Sequence, residues 1–343
     1  MNSSKKILVT GGAGYIGSHT VVELINAGYE PVIVDNFSGS DRTLTAGIEK
    51  ITGKKVELFE GDCCDKAFLT NVFKSGGPIS SVLHFAAYKS VGESVEKPLD
   101  YYQNNVGSLV TLLQVMQEFK VRDLIFSSSC TVYGQPDHIP VNESAPFKRA
   151  ESPYGATKQM GERILEDAYP TGFRIISLRY FNPVGAHPSA LLGELPIGTP
   201  NNLVPYVTQT AAGIRQKLTV FGADYDTPDG SCIRDFIHVV DVASAHVKAM
   251  QFLSAGPAEN LFEAFNLGTG VGVSVLQLID KFKKVTGVNV PYVIGARRSG
   301  DVIKVYADPA KVNNALKWKT AFTLEDSLLH AWQWEKKIRN LNG

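Results

Sequence analysis

At 343 residues, with 44% apolar and 20% charged side chains, the chain is long enough for two domains or one enlarged one and too apolar to be disordered. Lysine plus arginine and aspartate plus glutamate both number 34, and a net charge of zero argues against a nucleic acid or an anionic membrane as partner. Four cysteines (Cys63, Cys64, Cys130, Cys232) without metal-ligand pairing, no signal-like leader and no apolar run near the roughly 20 residues of a membrane span point to reduced thiols and a cytoplasmic protein.

Lys6-Ile7-Leu8-Val9-Thr10 reads as a first strand, and Gly11-Gly12-Ala13-Gly14-Tyr15-Ile16-Gly17 follows it directly. A helical pattern then carries Ile16, Val21, Leu24 and Ile25 on one side. Strand, glycine turn and helix N-terminus make an anion site, because free backbone N–H groups and the positive end of the helix dipole face a pyrophosphate. A second strand, Pro31-Val32-Ile33-Val34, ends in Asp35, near the ~20-residue separation expected of the acid that binds an adenosine ribose. A carboxylate there repels a 2′-phosphate, so the cofactor is read as NAD rather than NADP. Arg42 argues the other way, and a plain turn at Asp35-Asn36 is the competing structural explanation.

Further strand patterns at Val56–Phe59, Ser81–Ala86, Leu124–Ser127 and Arg174–Arg179 alternate with helical ones. This predicts an α/β fold: a Rossmann-type doubly wound parallel sheet. The strand ends carry Gly11, Asp35, Asp62, Ala86, Ser127 to Ser129 and Tyr180, which places them along one crevice. Ser129 can hydrogen-bond a reacting oxygen there. Tyr154 and Lys158, four apart, share one helix face and form a candidate acid/base pair. Free tyrosine has a pKa of about 10, so service as a base near neutrality requires a fall of ~3, which the Lys158 ammonium is expected to supply.

Beyond Phe181 the chain becomes rich in proline (Pro183, Pro188, Pro196, Pro200, Pro205) and glycine, and long loops are expected. Helical patterns return near Pro205–Ile214, Val239–Leu253 and Val275–Val285. The division read from this is a cofactor-binding domain over 1–181 and a smaller substrate-binding domain over 182–343, with a segment of about 235–254 rejoining the sheet near Phe236–Val240. His238, Asp241 and His246 lack the spacing of a zinc cluster and fit a strand end followed by a helix, so no metal is expected.

Together the glycine loop, Ser129, Tyr154 and Lys158 resemble the extended short-chain dehydrogenase/reductase family, over essentially the whole chain. The runs Val91–Ser94, Arg179–Pro188, Pro200–Leu203 and Arg234-Asp235 are similar to those of its UDP-glucose 4-epimerase branch. The resemblance implies that Gly11, Gly14, Tyr15, Ile16 and Gly17 bind the NAD pyrophosphate, and that Asp35, Asn36, Phe37, Ser38, Gly39 and Ser40 surround the adenosine. Asp62 and Cys63 would flank the adenine. Phe85, Ala86, Ala87, Lys89, Asn104 and Phe181 would line the other half of the cofactor, with Ser129, Tyr154 and Lys158. The nucleotide sugar would meet Lys89, Ser129, Tyr154, Asn182, Asn202, Leu203, Thr219, Phe221, Arg234, Arg298, Asp301 and Val305. Independent physical logic agrees for part of this set: a diphosphate on a neutral protein needs guanidinium partners such as Arg234 and Arg298, and a uracil needs an apolar platform such as Phe221.

The implied activity is reversible 4-epimerisation of UDP-glucose and UDP-galactose in galactose metabolism. Tyr154, as phenolate, removes the 4-hydroxyl proton, NAD takes and returns the hydride without leaving, and the 4-keto sugar turns over between the two steps. A homodimer through residues 98–119 and 152–169 is the family precedent. This chain departs from the family at Phe236, where tyrosine is usual, at Ala87-Tyr88 and at Cys130. A nucleotide-sugar 4,6-dehydratase would need an acidic pair where Cys130-Thr131 stands, and a silent NAD-binding sensor would have no use for the intact triad. The residue four after Asp301 in Gly300-Asp301 resembles a gate on the sugar pocket, bulky in narrow enzymes. Here it is Val305, which leaves room for an N-acetyl group as in UDP-N-acetylglucosamine; a slip of one residue would put Tyr306 there instead.

Overall fold

The computed structural model describes residues 5–256, 259–298 and 301–341. Strands β1 (Lys6–Thr10), β2 (Glu30–Asp35), β3 (Glu57–Glu60), β4 (Ile79–His84), β5 (Asp123–Ser129) and β6 (Arg174–Tyr180) join the later strand Leu261–Leu267 in one seven-stranded sheet. Its order is Leu261–Leu267, β6, β5, β4, β1, β2, β3, with every neighbouring pair parallel. The chain winds outward in both directions from β1 and β4, so a crevice opens at their carboxyl ends.

The pleat explains why both faces are apolar. Ile7, Val9, Ile33, Leu83, Ile125 and Ile176 pack with Val21 and Leu24 of helix Tyr15–Asn26 and with Val242 and Met250 of helix Val239–Ala255. The alternate residues, Leu8, Val32, Val82, Leu124 and Ile175, meet Leu69, Val72, Leu109, Leu112 and Leu165 from the helices on the other side. Burying each such side chain contributes about 1.5–3 kcal/mol, which makes the double covering the main source of stability.

The return to the sheet differs from the expectation in part: helix Val239–Ala255 packs on the main sheet, but the strand before it does not join that sheet. Phe236–His238 pairs with Asn182–Val184 in a separate two-stranded ladder, and the strand that completes the main sheet is Leu261–Leu267. Glu263 and Asn266 interrupt that strand's apolar run; Asn266 is nevertheless buried, because its side chain accepts from the Tyr133 hydroxyl at 2.6 Å and donates to the Val141 carbonyl at 2.9 Å.

Helices Leu203–Ala211, Val275–Thr286 and Leu324–Ile338 build a third apolar cluster around Val207, Leu278, Phe282, Leu328 and Trp332. Reciprocal caps, Ser274 with Gln277 and Thr323 with Asp326, fix where the last two begin. A small cluster of Val132, Tyr133, Val141, Phe181, Val305 and Ala307 joins this half to the segment that follows β5.

Candidate active site

Gly11 takes a φ of +70° and donates its N–H to the Val34 carbonyl at 2.7 Å, which turns the chain sharply at the end of β1. A Cβ at Gly17 would lie 2.2 Å from the Gly11 carbonyl oxygen, so only glycine lets the helix start this close to the turn. Gly14 occupies the N-cap of helix Tyr15–Asn26 with no side-chain cap, which leaves the first N–H groups for an anion. Ile16 packs on the first core cluster, and the Tyr15 hydroxyl donates to the Gly185 carbonyl at 2.7 Å.

Asp35 is buried and accepts from Ala13 N–H at 3.0 Å, Phe37 N–H at 2.9 Å and Ser40 Oγ at 2.8 Å, so it ties the end of β2 to the glycine loop. Asn36 accepts from the N–H and hydroxyl of Ser38 at 3.0 and 2.7 Å and shapes the turn through Gly39. Arg42, the group that favoured NADP, pairs with Glu60 at 2.5 Å and lies 4.2 Å over the Phe37 ring. Asp62 accepts from Cys64 N–H at 2.8 Å, and burial pushes the Cys63 thiol well above its ordinary range. Close-approach glycines at a helix start and a carboxylate at the next strand end fit a dinucleotide without a 2′-phosphate.

Helix Pro153–Ala168 starts on Ser152, whose Oγ accepts from Gly155 N–H at 3.1 Å, with proline at the first helical position. That start aims Tyr154 and Lys158 at the end of β5. Lys158 Nζ donates to the Ser127 carbonyl at 2.6 Å and stands 5.8 Å from the Tyr154 ring centre. Burial lowers the Lys158 ammonium to about 8, opposed by the charge of Glu162. Burial pushes the Tyr154 hydroxyl up to about 12, and the hydrogen-bonded Ser129 hydroxyl pulls it down.

A second group of residues meets at a side chain that the sequence reading missed. Glu194 Oε1 accepts from Lys89 Nζ at 3.1 Å and from Asn202 Nδ2 at 2.6 Å, joining an expected cofactor residue to an expected nucleotide-sugar residue. Asn105 was missed as well. Its amide accepts from Tyr88 N–H at 2.8 Å, donates to Tyr88 O at 3.0 Å and donates to Thr157 Oγ1 at 3.0 Å, so the loop after β4, with Ala86, Ala87 and Lys89, is fastened to the helix that carries Lys158. Asn104 donates to Asn105 Oδ1 at 2.9 Å from the same π-turn, Tyr102–Val106. Phe85 packs 4.6 Å from the buried His246 ring, and Phe181 N–H donates to Leu267 O at 3.1 Å.

The expected nucleotide contacts fall into two sets. Asp301 Oδ1 accepts from Arg298 Nη2 at 2.6 Å and lies 3.7 Å from Arg234 Nη2, while the Arg298 guanidinium sits 5.6 Å over the exposed Phe221 ring. Thr219 pairs with Val293 in the ladder that ends at Phe221. Asn202 and Leu203, at the start of their helix, form the other set; Asn182 N–H donates to Asp235 O at 3.0 Å, and its Oδ1 is buried with no hydrogen-bond partner among the described residues. Val305 is 4% exposed in the cluster with Phe181, whereas the Tyr306 ring packs against Gly272. Gly300 lies outside the described residues. Phe236 buries its ring in the third cluster, and His238, Asp241 and His246 serve the backbone and Tyr180 through hydrogen bonds.

Residues 7–268 match the NAD dependent epimerase/dehydratase family. The chain is 50% identical over 340 residues to the UDP-glucose 4-epimerase of Yersinia enterocolitica, covering 98% of each chain. It is likewise 50% identical to that of Dictyostelium discoideum, covering 98% of this chain and 97% of that one. Among solved structures, the UDP-glucose 4-epimerase of Bifidobacterium longum in complex with NAD+ and UDP superposes with a TM-score of 0.94 at 45% identity, covering 98% of this chain and 99% of that one. On this likeness and on the site geometry, the chain belongs to the NAD-dependent epimerase/dehydratase family, in its UDP-glucose 4-epimerase branch.

Proposed function

We propose that this protein is an NAD-dependent UDP-glucose 4-epimerase that interconverts UDP-glucose and UDP-galactose reversibly through a 4-keto sugar, in galactose metabolism. The carrying observation is the convergence of Ser129, Tyr154 and Lys158 on the end of β5, with Lys158 Nζ on the Ser127 carbonyl at 2.6 Å, beside a glycine cradle and Asp35. When bound, NAD supplies a reversible hydride acceptor for sugar carbon 4 and a positive charge that favours the phenolate of Tyr154. Tyr154 takes the 4-hydroxyl proton and later returns it, Ser129 shares the hydrogen bond to that oxygen, and Lys158 binds the nicotinamide ribose and steadies the phenolate.

Arg234 and Arg298 hold the diphosphate, Phe221 carries the uracil, and Asn182, Asn202, Leu203, Thr219 and Asp301 complete the nucleotide pocket; the Arg298 guanidinium over Phe221 and the approach of both arginines to Asp301 support this part. The cofactor half comprises residues 1–181 with the returning strand Leu261–Leu267, and most of the rest holds the UDP-sugar. Val305 faces the sugar, a reading supported by its packing with Phe181 while Tyr306 turns to Gly272, so the pocket takes UDP-N-acetylglucosamine as well.

The protein works as a cytoplasmic homodimer. Its four cysteines are unpaired, which suits a reducing compartment, and among the described residues no helix is long and apolar enough to cross a membrane. Leu99 and Met160, 78% and 45% exposed, lie in the two segments expected to pair. The test of the activity is incubation of purified protein with UDP-galactose and no added NAD. UDP-glucose should accumulate to an equilibrium mixture; folded protein with bound NAD and no product would overturn the reading.

A further inference from the structure

Helix Pro153–Ala168 meets the end of β5 three times in succession. Tyr154 is hydrogen-bonded to Ser129, Lys158 donates to the Ser127 carbonyl at 2.6 Å, and one turn further Glu162 Oε1 accepts from Ser128 Oγ at 2.5 Å. Residues 154, 158 and 162 share one helix face, and the three serines are consecutive on the strand. Glu162 is fully buried, where a carboxylate persists only if paired and hydrogen-bonded. Arg179 of β6 meets that need, with Nε 2.9 Å from Oε1 and Nη2 2.5 Å from Oε2, and its Nη1 donates to the Tyr133 hydroxyl at 2.8 Å.

An ion pair in a core contributes little net stability compared with an apolar pair of the same volume, so stability alone does not account for its place beside the acid/base helix turn. We propose that Glu162 is a positioning residue for Tyr154 and Lys158: through Ser128 it locks the helix against the serine run, and it sets a carboxylate one helix turn from the Lys158 ammonium. The catalytic meaning of this rests on the function proposed above; the charge relation does not. The other ionisable groups facing Lys158 cannot replace it. On β4, His84 is held neutral by burial; on β6, Arg179 is positive and Tyr180 has its hydroxyl engaged with His246 at 2.6 Å; on the helix itself, Tyr154 is the partner to be served. Glu162 is the group whose charge opposes the lowering of Lys158 by burial.

The experiment compares the holoenzyme with E162Q and with E162Q/R179M, which leaves no orphaned buried charge. Lys158 is titrated by NMR of ε-carbon-labelled lysine, assigned with K158M, and kcat and KM for UDP-galactose are measured against pH. The Lys158 midpoint should fall by about one pH unit in E162Q, and by less in the double variant, where the positive Arg179 is lost as well. The alkaline limb of kcat should move down with it, while KM changes less than about twofold. A midpoint unmoved in the double variant would overturn the proposal and leave Glu162 as the partner of Arg179 only. If E162Q does not fold, the double variant decides, and the NMR titration decides even if the native protein epimerises nothing.

Discussion

At the scale of single residues, the chemistry turns on an oxygen that the fold leaves costly to ionise. Burial pushes the Tyr154 hydroxyl up to about 12 and the Ser129 hydrogen bond opposes that rise, so the proposed base role needs positive charge beside it, from Lys158 and the cofactor. Tyr154→Phe removes the proposed proton acceptor and leaves the helix and its Ser152 cap in place. Its kcat should fall by about 10²–10⁴, the range for general acid–base groups, with an unchanged circular dichroism spectrum and NAD still bound; near-native turnover would sink the assignment. Val305 makes a separate prediction. With a valine 4% exposed beside Phe181, the protein should epimerise UDP-N-acetylglucosamine, and Val305→Tyr should suppress that product while UDP-glucose turnover survives. No N-acetyl product from native enzyme that equilibrates UDP-galactose would show that Val305 is not the gate.

At the scale of elements, the site is held by a few polar side chains between secondary structures. Asn105→Ala would strip Tyr88 N–H, Tyr88 O and Thr157 Oγ1 of their shared partner, a loss of about 1–3 kcal/mol for the buried groups left unsatisfied. Because Lys89 follows Tyr88, that variant should both lower the urea midpoint and release NAD faster; a lower midpoint with native NAD retention would confine Asn105 to structure. Such links explain what the sequence could and could not disclose. Ile7, Val9, Leu83 and Ile125 announce strands through runs of apolar residues, and Gly11 to Gly17 announce a phosphate turn because local geometry alone demands glycine. Leu261–Leu267 was hidden because Asn266 looks polar until Tyr133 and Val141 are placed beside it. Glu194, Asn105 and Glu162 were hidden for the same reason: each acts on a partner from a distant stretch of chain, and no local pattern marks such a carboxylate or amide.

At the scale of the whole molecule, an exposed helix face and a set of buried histidines each make a prediction. The exposed Leu99 lies on the face proposed to pair two copies, so Leu99→Asp should shift sedimentation from dimer to monomer; native protein that sediments as a monomer would remove the pairing altogether. Inside, burial lowers His19, His84 and His238 to about 3 and His246 to about 4. Their contacts tie separate elements together: His84 to Thr10 at 2.7 Å, His246 to Tyr180 at 2.6 Å and His238 to His330 at 3.0 Å. A histidine whose folded pKa lies below its unfolded value of about 6.5 binds its proton in the unfolded chain first, so stability is full above about pH 6.5 and is lost as pH falls toward 4. Each such histidine contributes at most about 1.4 kcal/mol per pH unit in that window. Asp235 and Asp241, raised by burial, favour the folded state on acidification, but only in the lower range where carboxylates take up protons. The urea midpoint should therefore drop between pH 7.5 and pH 5.5, and His246→Gln should flatten the dependence by close to one proton. An identical midpoint at the two pH values would mean that these rings are not held neutral, and that the elements they join can accept charge without parting.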